Sequence, residues 1–161
     1  MTKLDNTISY TFCDFSNEEH CSKLAALINQ YISDPMGGGT PLTPMQQLRL
    51  VDGLAIHPAS FVLFVLVDNQ IVGLATCFVN FSTFKVKPYI NIHDLIIDQD
   101  FRRKGLGASL LRHIELIGKE RKCCKITLEV REDNHKAKYL YSELGLKEVS
   151  PVMHFWIKEL A

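Results

Sequence analysis

Arg102-Arg103-Lys104-Gly105-Leu106-Gly107-Ala108 is the stretch of this chain best equipped for chemistry. Its two glycines let the backbone curl until successive N–H groups converge on one point. A helical pattern, Leu106 to Ile117, follows the loop, and its first turn would add unpaired N–H groups and partial positive charge. Arg102, Arg103 and Lys104 add formal charge. The combination predicts a cradle for a phosphate or pyrophosphate group. A Rossmann fingerprint would need a third small residue where Leu110 stands. A Walker A loop would end in Gly-Lys-Ser/Thr, whereas Lys104 precedes Gly105. The competing reading is a basic helix entry with a glycine turn.

A second pattern lies downstream. Asn134, Ala137, Tyr141, Gly145 and Leu146 follow the spacing N-x-x-A-x-x-x-Y-x-x-x-G-L. Ala137 and Tyr141 are four apart and so share a helix face. With both motifs in this order, the chain resembles the GCN5-related N-acetyltransferases (GNAT family), which transfer acetyl from acetyl-CoA to an amine. The resemblance runs from about Ile71 to Trp156. Leu146 departs from the commoner phenylalanine, a packing change.

The resemblance implies a division of roles. Backbone N–H groups from Arg103 through Lys104, Gly105, Leu106 and Gly107 to Ala108 would hold the CoA pyrophosphate. Arg102 matches the first motif residue, and Arg103 and Lys104 could reach the 3′-phosphate. The backbone of Leu95, Ile96 and Ile97 would run beside pantetheine, with one N–H polarising the thioester carbonyl. Asn134 would cap its helix and touch the CoA arm. Tyr141 is the expected general acid on the leaving thiolate, since a phenol with a pKa of about 10 can donate there. Tyr139 lacks the required spacing to Gly145. The general base is expected at His93, where diamine-acetylating relatives carry a glutamate, with Asp94 next to it ranked slightly behind. Against these stand a hydrogen-bonded structural histidine and a carboxylate accepting N–H groups near a strand bulge. The implied reaction is direct attack of a primary amine on acetyl-CoA in a ternary complex. The alternative is a non-catalytic acyl-CoA-binding regulatory module.

The elements that must position these residues are readable from periodicity. Ile8 to Cys13 reads as a strand. Ser16-Asn17-Glu18-Glu19 has capping-box spacing, and the helix behind it carries Leu24, Leu27, Ile28 and Tyr31. It ends before Asp34-Pro35. Gly37-Gly38-Gly39 predicts a mobile segment within 34–41, between the first two helices and beside the expected acceptor site. A helix spans Pro44 to Leu54, capped by Thr43. Phe61 to Val67 and Ile71 to Phe81 form a hairpin through Asp68-Asn69. Tyr89 to Ile97 is a strand, 106–119 a helix, Lys125 to Val130 a strand, Asn134 to Leu144 a helix closed by Gly145, and Met153 to Lys158 a last strand. The order β-α-α-β-β-β-α-β-α-β predicts a mixed α/β sheet of six or seven strands with about four helices, one GNAT-type domain over 1–161.

Composition narrows the partners. The 161 residues carry 18 Lys+Arg and 18 Asp+Glu, so no long polyanion such as nucleic acid is indicated. The longest apolar run, Phe61 to Val67, is too short for a membrane span. Five cysteines without a C-x-x-C pair suggest neither a disulfide framework nor zinc, and the histidines show no metal-ligand spacing. A cytoplasmic protein without a metal is expected. The resemblance and the single-domain size fit a small amine, polyamine, amino acid derivative or protein N-terminus as acceptor; the neutral charge selects none of them, and Asp34 and Asp52 would suit a cationic one. Relatives are often dimers, and Phe155 and Trp156 could serve a homodimer interface or a core.

Overall fold

A computed structural model describes residues 7–160. Among them run β1 (Ile8–Phe12), α1 (Glu18–Ser33), α2 (Pro44–Ile56), β2 (Ser60–Val67), β3 (Gln70–Ser82), β4 (Lys87–Ile97), α3 (Leu106–Glu120), β5 (Ile126–Leu128) and α4 (His135–Glu143). The sheet order is β1-β2-β3-β4-β5. Every neighbouring pair is antiparallel except β4 and β5, which are parallel from Ile90↔Ile126 to Ile92↔Leu128. A parallel pair needs a crossover, and α3 supplies it.

Local chemistry explains the boundaries. The Asn17 carboxamide caps α1 by accepting from the N–H groups of Glu19 (2.9 Å) and His20 (3.2 Å). The capping box expected from Ser16 does not form, because the Ser16 hydroxyl and N–H both donate to Asp14. Thr43 and Gln46 do form a reciprocal capping box on α2, with Pro44 at its first turn. Asp68 and Asn69 both have positive φ (49° and 66°), as a two-residue hairpin turn requires.

Alternation along the strands divides the core in two. Val62, Phe64, Leu74 and Ile96 pack against Leu24, Leu27 and Ile28 of α1 and Leu54 of α2. Leu63, Val65, Ile90 and Ile92 pack against Leu106, Leu110, Leu111, Ile114 and Ile117 of α3. Each such side chain, fully buried, contributes roughly 1.5–3 kcal/mol. No helix among the described residues is long and apolar enough to cross a membrane.

The mixed α/β class agrees with the sequence; the strand count does not. Five strands pair among the described residues, where six or seven were expected. Residues 153–158, the expected last strand, carry no ladder and lie exposed. A strand exists only as one side of a ladder, and this segment lies off the sheet. β5 is also shorter than 125–130 for the same reason, since its pairing stops at Leu128.

Candidate active site

The loop after β4 curls through a 3-10 turn (Gln99–Phe101) into α3. Arg103 (φ 63°) and Gly105 (φ 76°) take left-handed conformations. Gly105 is the N-cap of α3 and offers no side chain, so the first-turn N–H groups have no side-chain acceptor. Such N–H groups and the helix dipole have the chemistry to hold an anion. Gly107 differs: it lies within α3, and a Cβ there would meet Leu140 Cδ2 at 3.4 Å, an ordinary contact.

The three basic side chains separate. Arg102 donates through Nε to the Ile97 carbonyl (3.0 Å) and pairs with Asp34 (2.9 Å). The Arg102 guanidinium and the Met36 N–H hold the Asp34 carboxyl below its ordinary range, the N–H being the larger cause. Lys104 Nζ lies 4.8 Å from the centre of the Phe101 ring. Arg103 is exposed.

β4 carries a bulge. Thr76 of β3 faces Asp94, yet its neighbour Cys77 faces Ile92, so His93 is the extra residue. Before the bulge, Ile90 and Ile92 face α3; after it, Leu95 and Ile97 face that side and Ile96 faces α1. The shift puts Asp94 in phase with Ile96, on the α1 side, within the electrostatic reach of Tyr31. His93 is exposed, its ring edge-on to Phe78 at 5.8 Å. Asp94 is half-buried, and burial pushes its carboxyl above the ordinary range, opposed in part by His93. Across the ladder, the buried Thr76 hydroxyl has no well-formed hydrogen-bond partner.

α4 brings the remaining groups. Asn134 caps it, its side-chain oxygen accepting from the Ala137 N–H (3.2 Å). Gly145 (φ 83°) ends it in a Schellman motif: Leu146 N–H donates to the Tyr141 carbonyl and Gly145 N–H to Ser142, both at 3.0 Å. Tyr141 packs against the α3-side core, and its phenol is pushed up by burial and then by Tyr31. Tyr31, from α1, is raised by burial and by Asp94 and Asp34.

One cleft of about 1830 Å³ gathers His93, Asp94, Leu95, Asn134 and Tyr141. Its lining does not include 102–108, of which 102–105 are exposed, nor Ile96 and Ile97. Ile96 is buried under α1. Tyr31, Glu129 and Arg131 also line the cleft and escaped the sequence reading. Tyr31 reads there as an ordinary member of the α1 stripe. Glu129 and Arg131 sit just past β5, where no spacing rule marks them. Arg131 makes a bidentate pair with Asp133 (2.9 and 2.7 Å).

Segment 34–41 is fastened rather than free. Gly37 and Gly38 N–H groups donate to the Asp34 carbonyl and Gly39 N–H to the Ile32 carbonyl, at 2.8–3.0 Å. A Cβ on Gly37 would fall 1.9 Å from the Tyr31 carbonyl oxygen. That glycine is explained by close approach, not by mobility. Among the described residues no group of His, Cys, Asp and Glu is placed to hold a metal.

Known proteins share this fold and parts of this sequence. An uncharacterized N-acetyltransferase of Methanocaldococcus jannaschii is 29% identical over 93 residues, covering 57% of this chain and 41% of that protein. The ribosomal protein bS18-alanine N-acetyltransferase of Escherichia coli K12 is 36% identical over 59 residues, 37% of this chain and 40% of that one. The chain thus spans about half the length of the curated relatives it matches. The solved aminoglycoside N-acetyltransferase AAC(6′)-Iy in complex with CoA superimposes with TM-score 0.76 at 13% identity, covering 99% of this chain and 100% of that one. The acetyltransferase (GNAT) family model matches residues 24–146, most of the chain and both motifs, and the chain belongs to that family.

Proposed function

We propose that this chain, acting as one domain, transfers acetyl from acetyl-CoA to a primary amine by direct attack in a ternary complex. The observation that carries the reading is a pair of groups on one cleft, both shifted upward by burial: the Asp94 carboxyl and the Tyr141 phenol. A carboxylate made more basic accepts a proton better, and a phenol kept neutral has one to give.

The pairing of β4 with β5 ends at Ile92↔Leu128. Beyond it, β4 offers backbone groups on that edge to the amides of pantetheine, along Leu95, Ile96 and Ile97. The pyrophosphate lies on the N–H groups of 103–108. The amine gives its proton to Asp94, directly or through water, and its lone pair attacks the thioester carbon. A β4 N–H holds the oxyanion. Collapse breaks the C–S bond, and Tyr141 protonates the departing thiolate before solvent restores the phenol. Asp94 takes precedence over His93 as base because His93 is exposed and Asp94 half-buried in the cleft. Direct attack needs no acetyl-cysteine, and burial raises the Cys123 thiol that lines the cleft, which makes it a poorer nucleophile at neutral pH. The named relatives act on a ribosomal-protein alanine and on aminoglycosides. The acceptor proposed here is correspondingly a small-molecule or protein amine.

The test is calorimetric titration with acetyl-CoA, with ATP and NAD as comparators, followed by thiol release against a panel of amines. Selective acetyl-CoA binding with release on one amine class is expected. Selective binding with no release on any amine would leave an acyl-CoA-binding module. Parallel assays of Asp94→Asn, His93→Ala and Glu129→Gln locate the base; loss confined to either of the latter two would displace Asp94.

A further inference from the structure

Thr76, midway along β3, is 2% exposed. The other buried polar residue among those described, Ser82, accepts from the Lys85 N–H at the hairpin end. The Thr76 hydroxyl has no well-formed partner. A buried hydroxyl left unpaired costs free energy, and valine would fill the same space without that cost. The strand's alternation also asks for an apolar residue here, since Leu74 and Phe78, two positions to either side, belong to the core under α1. The hydroxyl is therefore a departure from the pattern that packing alone would select.

Its cross-strand neighbours narrow the choice of partner. On β2 the residue opposite is Val62, which has no polar atom in its side chain. On β4 the residue opposite is Asp94. Opposed residues of an antiparallel pair share a face with their Cβ atoms roughly 4.5–5.5 Å apart, within reach of a hydroxyl and a carboxylate. The bulge creates this pairing. Counted regularly from Cys77↔Ile92, Thr76 would oppose His93; the extra residue brings Asp94 there instead. Asp94 lines the cleft and Thr76 does not, so the hydroxyl meets the carboxyl from the protein side.

The geometry points to Thr76 as the positioning residue of the general base: its hydroxyl donates to one oxygen of the Asp94 carboxylate and leaves the other free for the amine in the cleft. The inference rests on Asp94 as the base proposed above. A carboxylate held at one oxygen has its plane fixed, so the lone pairs of the other keep one direction. The amine proton goes to that second oxygen as the nitrogen bonds to the thioester carbon, and solvent removes the proton afterwards. A donor bonded to the charged form also favours it. Burial raises the Asp94 carboxyl; His93 and then Thr76 oppose the rise, which widens the pH range over which the base is ready. The other groups in electrostatic reach of Asp94 are Tyr31 from α1 and Cys77 on β3. Arg131 and Tyr141 act on Tyr31 in turn. Substitution at Thr76 leaves all of these in place.

Thr76→Val keeps the shape and removes the donor, whereas Thr76→Ser keeps the donor. The experiment follows the Asp94 carboxyl by carbon-13 NMR titration of the full chain, assigned with Asp94→Asn. Beside it runs the pH dependence of kcat/KM for thiol release from acetyl-CoA with the best amine of the panel. In Thr76→Val the titration and the acid limb should both move up by about one pH unit, the worth of one hydrogen bond to a charged group. On the limb the rate at fixed pH should then fall ~10-fold. Thr76→Ser should return both to the parent's values, and the acetyl-CoA Kd should be the same in all three proteins. A titration unmoved in Thr76→Val would overturn the contact. An upward titration with an unmoved limb would overturn Asp94 as the base, and the positioning role with it, while the contact stands. A Thr76→Ser protein that behaves like Thr76→Val would also overturn the proposal, since packing rather than the hydroxyl would then be the cause.

Discussion

Burial, more than any neighbouring charge, raises the pKa of both Asp94 and Tyr141, and it fixes what each substitution should do. Asp94 has a folded-state pKa above its unfolded one. Its contribution to stability is therefore present below the ordinary aspartate range and lost as pH rises through the folded value. Asp94→Asn removes that penalty. Its melting temperature at pH 7 should equal or exceed that of the parent, while turnover falls ~100-fold or more, the usual worth of a general base. Calorimetry and thiol release check the two halves. The acid limb of the parent's pH–rate profile should lie above the ordinary carboxylate range. Tyr141→Phe should lower kcat at least ~10-fold with the acetyl-CoA Kd unchanged. The glycines of the phosphate loop divide by conformation. Gly105→Ala places a side chain at φ 76° and should weaken acetyl-CoA binding and stability together. Gly107→Ala meets only an ordinary contact and should gain up to ~1 kcal/mol of helix stability without loss of binding.

At the scale of elements, α1 is joined to the loop before α3, on the side proposed for the acceptor. Gln99 N–H donates to Gln30 (3.2 Å), and Arg102 pairs with Asp34. Both partners of that ion pair are partly exposed, so it contributes at most about 1 kcal/mol. Asp34→Asn should leave the melting temperature nearly unchanged yet raise the KM of the amine, because it loosens 34–41. The Asp34 carboxyl is depressed, so the tie is intact above the ordinary aspartate pKa and is lost as pH falls through the folded value. Gly37→Ala is the contrasting case: a collision with the Tyr31 carbonyl should destabilise by more than ~2 kcal/mol, read by denaturant titration. Elements of this kind were legible in the sequence wherever the cause was local. Thr43-Pro44 started a helix, Asp68-Asn69 made a hairpin and Gly145 closed α4, because caps and turns are decided within a few residues. Asn17 displaced Ser16 at α1 because Asp14 took the serine hydroxyl, a contact that spacing alone does not reveal. Asp94 was legible as a candidate, whereas its partner Tyr31 was not. Their proximity depends on α1 crossing β4, and no local pattern records that.

Over the whole molecule, two cores share one sheet, and the site lies where the sheet comes apart. The strand expected at 153–158 shows what periodicity alone can do. It finds a segment able to pair but cannot say whether any edge receives it, and among the described residues none does.

The bulge at His93 behaves like a frameshift written into a strand. Upstream of it the even-numbered residues feed the α3 core; downstream the odd-numbered ones do. Side-chain replacement at 93 leaves this phase intact. Deletion of the one residue keeps the phase too, because Ile92 and Asp94 already oppose the consecutive residues Cys77 and Thr76 and would simply become neighbours in a regular ladder; pressing His93 into the ladder without removing a residue is what would turn one half of β4 inside out. Position 93 should thus tolerate most amino acids, and even their absence, as far as the two cores are concerned, at the cost of the local bend that the bulge gives β4.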